Sequence, residues 1–468
     1  MTQAIDDRKR WLALIVLCLG ELMIVLDTTI VNVALPSIRA DLGFTETALV
    51  WVVNAYMLTF GGFLLLGGRL GDLFGPRRVF LIGITLFTLA SLACGLADSR
   101  VLLIVARAVQ GLGGAVVSAV ALALIMNLFI APADRARAMG VYGFVCAGGG
   151  SIGVLLGGLL TGALSWHWIF LVNLPIGAVV FALCLALLPA GRAQASAERL
   201  DVTGAVTVTT SLMLAVYAVV DGNRAGWAST QTVTLLTAAA LLFAVFIGIE
   251  ARVRHPLMPL GLFRLRNVAI ANTVAVLWAA AMFAWFFISA LYLQLVLGYS
   301  PMQVGLAFLP ANLIMAAFSL GLSARLVMRY GNRLPLGAGL LLAAVGLLLF
   351  ARAPLHGDFM LDVLPGMTLL GVGAGIAFNP LLLAAMSDVG PDESGLASGV
   401  VNTAFMMGGA LGLAVLASLA AARTEGRLAA GFDALAALNA GYQLAFFVGA
   451  LCAAAAALLG LALRRSGR

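Results

Sequence analysis

The chain has 468 residues, of which 63% are hydrophobic and only 10% charged, and its mean hydropathy is +1.09. Because an average soluble domain is about one quarter charged, a chain of this composition is expected to lie in a membrane rather than in water. The 27 Lys and Arg residues against 20 Asp and Glu could indicate nucleic-acid binding, but the basic loops of a membrane protein explain the net charge of +7 better. No gap between apolar runs could hold a soluble domain of about 50 residues, which excludes an appended kinase, nuclease or nucleotide-binding domain.

Fourteen apolar runs are long enough to be membrane-spanning helices, each of which needs about 20 apolar residues. In chain order they are 11–36, 48–68, 79–97, 101–128, 138–162, 168–190, 202–220, 231–249, 268–297, 304–324, 334–351, 362–386, 396–422 and 442–463. The first run follows a basic N-terminus, as in a signal peptide, but it continues to about Pro36 without a small-residue cleavage site and is predicted to be retained. The predicted fold class is therefore an all-α integral membrane protein.

The distribution of basic residues predicts which side of the membrane each loop faces. If the N-terminus is cytoplasmic, the inner segments hold 20 of the 27 Lys and Arg residues, the outer segments hold 6, and Arg107 lies within a span. Cytoplasmic loops carry an excess of Lys and Arg, so both termini of this multi-pass chain are predicted to be cytoplasmic. The arginine-rich, lysine-poor composition is typical of a GC-rich genome, which favours the cytoplasmic membrane of a bacterium.

The rare residue types indicate neither a metal site nor a cofactor. All five cysteines lie inside apolar runs at no metal-like spacing, and the three histidines lie in connections between the runs. The single lysine, Lys9, precedes the first span, so the chain has no phosphate-binding loop, which needs a lysine after its glycines. Any uphill transport must therefore draw on an ion gradient or on a partner.

A faint internal repeat predicts how the spans are grouped. Residues 68–77 and 324–333 match at four of ten positions, and each stretch follows the second span of its half. Two related six-span halves that flank an extra pair are typical of transporters built from repeats. The predicted domains are an N-terminal six-helix half at 1–190, an inserted helix pair with cytoplasmic linkers at 191–260, and a C-terminal six-helix half at 261–468.

Five stretches carry a resemblance to a known family, and each is weak alone. They are 26–36 (LDTTIVNVALP), 68–78 (GRLGDLFGPRR), 107–114 (RAVQGLGG), 166–177 (WHWIFLVNLPIG) and 293–301 (LQLVLGYSP). In this order they resemble the major facilitator superfamily, and specifically its fourteen-span drug:proton antiporter branch of multidrug efflux transporters. The resemblance covers nearly the whole chain. It implies a major facilitator fold with 14 transmembrane helices and transport by alternating access.

Two departures from the family pattern concern spans 5 and 13. The span-5 motif of the family usually carries prolines, whereas residues 150–158 (GSIGVLLGG) keep the glycines and lose the prolines. Glycines allow helices to pack closely, so Gly150, Gly153, Gly157 and Gly158 are predicted to be packing positions. The proline kink that the family ties to export is missing, which leaves the transport direction open. In span 13, Phe405 and Met406 stand where relatives often have Arg-Gln.

Three charged residues, Glu21, Asp27 and Arg107, lie well inside the predicted spans. A charge at the bilayer centre costs at least about 2.5 kcal/mol, so such residues are expected to face a cavity or each other. A rise of about 1.5 Å per residue puts Asp27 and Arg107 at similar depth, which opens an ion pair across the cavity. Glu21 and Asp27 are six residues apart, about 120° around the helix, and do not share a face.

These charges suit a proton carrier, because burial favours the protonated carboxyl group and a nearby guanidinium favours the carboxylate. We predict that Asp27 is the main proton and cation site, that Glu21 is a second site and that Arg107 tunes Asp27. The alternative is a structural Asp27–Arg107 pair that holds spans 1 and 4 together.

Further site residues come from the loop motif and from polar or aromatic side chains in the spans. The resemblance implies an inner gate at Gly68, Asp72, Gly75, Arg77 and Arg78, and the alternative is that these arginines only set the topology. Trp278, Trp285 and Tyr292 of span 9 form a stripe that could stack on flat cationic substrates. The remaining cavity candidates are Asn32, Asn54 and Met406. For all of the cavity candidates, packing is the alternative.

The leading hypothesis is a proton-coupled secondary active transporter that exports hydrophobic, cationic drugs or amphipathic compounds. A narrow-substrate exporter of a natural product, or an importer of the same fold, stays open. A membrane enzyme would need a polar catalytic cluster, which the sequence lacks, and we predict that the chain is not an enzyme. The predicted partners are membrane lipid, small hydrophobic or cationic substrates and protons. Nucleic acid is not expected, accessory efflux proteins are a further possibility, and the chain is predicted to be a monomer.

Overall fold

The computed structural model describes residues 7–129, 131–188, 201–253, 256–389 and 394–464. These residues form fourteen long helices joined by short connections, and no β-strand occurs among them. The helices are α1 Asp7–Leu42, α2 Glu46–Phe74, α3 Pro76–Gly95, α4 Arg100–Leu128, α5 Pro132–Ala163, α6 Trp168–Leu187, α7 Val202–Ala225, α8 Thr230–Glu250, α9 Arg266–Val296, α10 Pro301–Tyr330, α11 Arg333–Phe350, α12 Phe359–Met386, α13 Ser394–Ala429 and α14 Ala434–Gly460. The predicted all-α membrane fold is confirmed.

Each helix coincides with one predicted span. Among the described residues, thirteen helices are long and apolar enough to cross a membrane. In α5, the corresponding apolar stretch is the shorter Gly149–Ala163. The largest boundary difference is at the start of α14, which begins at Ala434 rather than at the predicted residue 442. Helix α1 continues past Pro36 to Leu42, because a proline inside a helix need not end it when the flanking turns keep their own hydrogen bonds.

Side-chain caps fix several of the helix ends. The Ser300 hydroxyl accepts a hydrogen bond from the backbone N–H of Gln303, and the Gln303 side-chain oxygen accepts one from the backbone N–H of Ser300. This capping box begins α10 where the apolar run begins. Asp201 caps α7: its side chain accepts a hydrogen bond of 2.8 Å from the backbone N–H of Gly204.

The sequence repeat corresponds to a glycine with positive φ at the same position in each stretch. Gly75, between α2 and α3, and Gly331, between α10 and α11, have φ values of +89° and +72°. A side chain would be strained at such a φ. The ψ values differ, at 124° and −176°, so the shared feature is the glycine that ends the second helix of each half and not the whole turn.

Helix directions define two ends of the bundle. We call the end at which α1 begins and α14 finishes the near end, and the end at which α2 and α14 begin the far end. Helices α1 to α6 pack mainly on one another, and so do α9 to α14. The two groups meet along two seams, α5 against α10 and α2 against α13. Helices α7 and α8 pair with each other, and α7 also packs on both α2 and α13.

Three of the hydrogen bonds between described residues join the two six-helix groups. They run from Gln294 Nε2 to the Val33 carbonyl (2.9 Å), from the Tyr442 hydroxyl to Glu46 Oε1 (3.4 Å) and from Asn54 Nδ2 to the Ala410 carbonyl (2.8 Å). All three lie in the far half of the bundle. The groups are therefore fastened to each other on the far side in this conformation. The domain boundaries inferred from the sequence stay predictions.

Candidate functional site

The structure brings Asp27 and Arg107 into direct contact. Arg107 Nη1, on α4, donates to Asp27 Oδ2, on α1, and the two side chains are 1% and 0% exposed. The pair lies within the α1–α6 group and joins α1 to α4. A buried pair of this kind needs further hydrogen bonds to offset the loss of solvation.

Two amides supply these bonds to the aspartate. Asp27 Oδ1 accepts from Gln110 Nε2 at 2.7 Å and from Asn173 Nδ2 at 3.3 Å. Gln110 Nε2 also lies 2.8 Å from Ser91 Oγ. Donors from α4 and α6 thus bind the carboxylate directly, and Ser91 of α3 is linked to it through Gln110. Three side-chain donors, from Arg107, Gln110 and Asn173, therefore surround the Asp27 carboxyl group.

Arg107 is equally well satisfied. Its Nε donates to the Val52 carbonyl of α2 at 2.9 Å, and its Nη1 donates to Gln110 Oε1 at 2.7 Å. The guanidinium carbon lies 4.4 Å from the Tyr56 ring centroid and 5.6 Å from that of Phe170, both distances suited to cation–π contact. The cluster therefore links five helices of the α1–α6 group.

Gln110 and Asn173 were not among the residues singled out from the sequence. Both lie inside motifs that carry the family resemblance, residues 107–114 and 166–177. The available signal was an uncharged amide within an otherwise apolar motif, next to a buried charge. Because a buried amide also needs hydrogen-bond partners, such residues point to a charge nearby.

Glu21 occupies a different environment on the same helix. Its Oε1 accepts from the Ser118 hydroxyl of α4 at 2.9 Å, and the Tyr142 side chain of α5 lies within hydrogen-bonding range of the same carboxyl group. The residue is buried. Glu21 and Asp27 thus have separate neighbours, in keeping with their positions on different faces of α1.

The polar cavity candidates have packed roles in this conformation. Asn54 is fully buried and makes the hydrogen bond to Ala410 in α13. Asn32 donates to the carbonyls of Thr28 and Thr29 in its own helix, at 3.3 and 3.4 Å. Their part in a substrate cavity stays a prediction.

The aromatic candidates of α9 are covered by protein. Trp278, Trp285 and Tyr292 are buried, and the Tyr292 hydroxyl donates to the Pro354 carbonyl at 2.8 Å. The Trp285 ring packs between those of Phe286 and Phe308, with centroids 4.4 and 5.9 Å away. Stacking of a substrate on these three residues would first require them to be uncovered, and their proposed role stays a prediction.

A second aromatic cluster was missed from the sequence. The Phe405 ring of α13 lies 5.8 Å from Phe283 of α9 and 6.1 Å from Phe378 of α12. Phe378 is 37% exposed, so the cluster is accessible at one edge. Met406, a predicted cavity residue, follows Phe405 and lies against Gly61 of α2. Three rings on three helices do not form a stripe in any one helix, which is why sequence periodicity could not find them.

The predicted gate residues lie at the near end of α2 and α3. Gly75 adopts the positive φ described above, and Arg77 Nη2 donates to the Leu185 carbonyl of α6 at 2.7 Å. Arg78 is exposed, and Gly68 has open space where a side chain would be. The side chain of Asp72 lies outside the described residues.

The α5 glycines differ in how closely they pack. A Cβ on Gly157 would lie 2.6 Å from the Ile30 carbonyl of α1, and one on Gly153 would lie 3.0 Å from the Leu26 carbonyl. Gly158 faces the start of α10, where a Cβ would lie 2.7 Å from the Pro301 carbonyl. Gly150 has only ordinary contact with Thr29. Three of the four glycines therefore permit close helix contact.

No group of three or more His, Cys, Asp or Glu side chains that could hold a metal ion occurs among the described residues. Among the described residues of the α1–α6 group, the buried charged side chains are those of Asp27, Arg107 and Glu21.

Comparison with known proteins identifies the family. The sequence profile of the Major Facilitator Superfamily matches residues 17–413. The puromycin resistance protein of Streptomyces alboniger is 41% identical over 90% of this chain and 84% of its own length. The cephamycin export protein of Amycolatopsis lactamdurans is 39% identical over 88% of this chain and 86% of its own length.

A solved structure shares the fold. It is a bacterial homologue of the human lysosomal transporter Spinster, in an inward-facing and unoccupied conformation, with a TM-score of 0.67 and 16% identity, over 98% of this chain and 97% of the other. The chain is thus a multi-pass membrane transporter and not an enzyme, as the motifs predict, and it belongs to the Major Facilitator Superfamily.

Proposed function

We propose that the chain is a proton-driven exporter of hydrophobic, cationic or amphipathic compounds. Relatives that cover most of the chain are named for puromycin resistance and cephamycin export, and these names support export as the direction. The observation that carries the proton coupling is the fully buried Asp27–Arg107 pair with its amide donors.

The pair makes proton binding and local structure interdependent. While Asp27 is ionised, the cluster is neutral, and its carboxylate accepts hydrogen bonds from Arg107, Gln110 and Asn173. Protonation of Asp27 removes the negative charge and leaves the Arg107 guanidinium uncompensated in a buried position, a state that is strongly destabilised. The cluster must then rearrange, and because it links five helices, the rearrangement is transmitted to the whole α1–α6 group. This coupling is what an alternating-access carrier needs.

Glu21 serves as the second proton site in this proposal. Its partners are hydroxyl groups of α4 and α5, and α5 is the helix that packs on α10 of the other group. A change in the charge of Glu21 therefore acts close to one of the two seams.

We further propose that the near end is cytoplasmic and that the gate residues around Gly75 and Arg77 act there. The excess of arginine in the near-end loops supports this orientation. The protein works as a monomer in a bacterial cytoplasmic membrane.

The test is ethidium accumulation in an efflux-deficient bacterium that expresses the chain, with and without a protonophore. Wild type should keep accumulation low, and the protonophore or Asp27→Asn should raise it to the level of empty cells. The matched control is Asp41→Asn on the same helix, an exposed residue that accepts a hydrogen bond from Trp166 Nε1 at 2.9 Å. Equal membrane expression is checked for every variant.

Two outcomes would overturn the assignment. Export that survives Asp27→Asn would move the proton site to Glu21, which Glu21→Gln would then test. Export that survives the protonophore would remove proton coupling altogether.

A dedicated exporter of one natural product is the second candidate. The two relatives described above are each named for a single antibiotic, which favours a narrow substrate range. Accumulation equal to that of empty cells, at verified expression, would support this candidate over a multidrug exporter.

A further inference from the structure

A second pair of buried acidic residues lies far from Asp27, at the near end of the α7–α8 pair. Asp201 caps the start of α7, and Glu250 is the last residue of α8; they are 7% and 3% exposed. One oxygen of each carboxyl group is used by the backbone. Asp201 Oδ1 accepts from Gly204 N at 2.8 Å, and Glu250 Oε2 accepts from Met258 N at 3.0 Å.

The two remaining oxygens, Asp201 Oδ2 and Glu250 Oε1, face each other across Gly204. Neither has a standard hydrogen-bond partner elsewhere among the described residues, and a side chain at position 204 would collide with both. Asp201 is the charged group that acts most strongly on Glu250. Among the described residues, the basic residues at this end of the neighbouring elements include Arg69 of α2, which is half-buried, and Arg252 after α8, which is exposed.

Facing carboxyl groups in a buried position are stable when they share one proton. Two ionised carboxylates that face each other in a buried position repel, whereas one proton between them gives a charge-assisted hydrogen bond. The geometry therefore requires a proton where the structure leaves two oxygens without other partners.

The pair also holds a segment that connects the two halves. Met258, bound to Glu250, belongs to the linker that leads into α9. Leu257 packs with Leu66 of α2, while Met258 packs beside Val400 of α13. The linker thus lies in the α2–α13 seam, and the acidic pair anchors it there.

We propose that Asp201 and Glu250 form a second proton-binding site, separate from the Asp27 cluster, which clasps the linker into the α2–α13 seam. With one shared proton, the clasp is closed. When that proton passes to water, the two carboxylates repel, Glu250 turns away, and its bond to the Met258 N–H breaks. The linker is then free to leave the seam.

Infrared difference spectroscopy of the full-length chain in lipid tests the proton. The chain carries Asp27→Asn and Glu21→Gln, so the result does not depend on the proposed transport mechanism. Between about pH 5 and about pH 9, the carbonyl stretch of one protonated carboxyl group should disappear. This signal should be missing from Asp201→Asn and from Glu250→Gln. It should remain in the control Asp221→Asn, which changes an acid at the other end of α7 that is paired with Arg224 at 3.3 Å.

Limited trypsin cleavage after Arg252 tests the clasp. Glu250→Gln keeps the pair bonded at every pH, because the amide donates to Asp201. At high pH, wild type should be cleaved at least about fivefold faster than Glu250→Gln, and at low pH the two should be cleaved at the same rate. The comparison at each pH cancels the pH dependence of trypsin itself.

Four results would overturn the proposal. Identical spectra for wild type and Glu250→Gln would mean that the pair holds no titrating proton. A wild-type signal that persists across the whole range would mean a fixed structural proton. A signal absent at every pH would indicate a cation between the carboxylates. Equal cleavage rates for wild type and Glu250→Gln at every pH would mean that the proton on the pair does not control whether the linker stays in the seam.

Discussion

Gln110→Met replaces a buried, uncharged amide with an apolar side chain of similar volume. The substitution therefore tests the hydrogen bonds around Asp27 with little change in charge or packing. The substitution deletes the 2.7 Å bond to Asp27 Oδ1, the 2.8 Å bond to Ser91 and the acceptor for Arg107 Nη1. A hydrogen bond to a charged group contributes about 1.5–3 kcal/mol. Because the amide joins Asp27, Arg107 and Ser91, its loss should weaken the cluster that the proposed transport depends on. At about 1.4 kcal/mol for each tenfold change in rate, proton-driven transport should fall by roughly ten- to a hundredfold.

Proton-driven ethidium transport by reconstituted proteoliposomes checks this loss. The matched control is Gln443→Met, which removes a side-chain bond of 2.9 Å to the Ala353 carbonyl in the other six-helix group. Both variants should lose thermal stability, and only Gln110→Met should slow transport by this factor. Undiminished transport by a folded Gln110→Met protein would refute the view that this cluster governs the transported proton.

Three further predictions concern packing, substrate contact and closure. Gly157→Val should lower the yield of folded protein several-fold in fluorescence-detected size exclusion, because its side chain collides with a carbonyl of α1, whereas Gly162→Val, which meets open space, should not. Phe405→Ala should raise ethidium accumulation in cells, while Phe447→Ala, at an exposed position outside the ring cluster, should leave it unchanged; equal effects would count against the cluster as a substrate surface. Asn54→Ala removes a bond between the groups and should increase thiol labelling of a cysteine placed near the far end by a few-fold; unchanged labelling would mean that the bond does not hold that end closed.

The helices were predictable because hydropathy alone decides which segments can lie in lipid, and tertiary contacts hardly alter that choice. The proximity of Asp27 and Arg107 was predictable for a related reason, because a charge buried in the membrane is costly enough to require a partner at its own depth. Gln110 and Asn173 lacked such a signal, because an uncharged amide can satisfy itself along its own helix, as Asn32 does.

The aromatic side chains illustrate what periodicity leaves open. Trp278, Trp285 and Tyr292 do lie in one helix with the predicted spacing, yet which face of α9 meets another helix depends on its neighbours. The more accessible ring cluster joins Phe378 and Phe405, which are far apart in sequence. Their meeting is a property of helix packing and could not be read from either segment alone.

The three hydrogen bonds between the six-helix groups determine how firmly the far end is shut. Two of these bonds join neutral groups, and the third is accepted by the Glu46 carboxylate at the long distance of 3.4 Å. At about 1 kcal/mol each, they contribute roughly 3 kcal/mol to closure of this end. This free energy favours the conformation with the far end closed over the open one by about one hundredfold, a preference that the binding of one proton or one substrate can reverse. In the proposed transport cycle, the three hydrogen bonds set the equilibrium between the closed and open far end. The rate of reopening then depends mainly on separating the close glycine contacts of the seams.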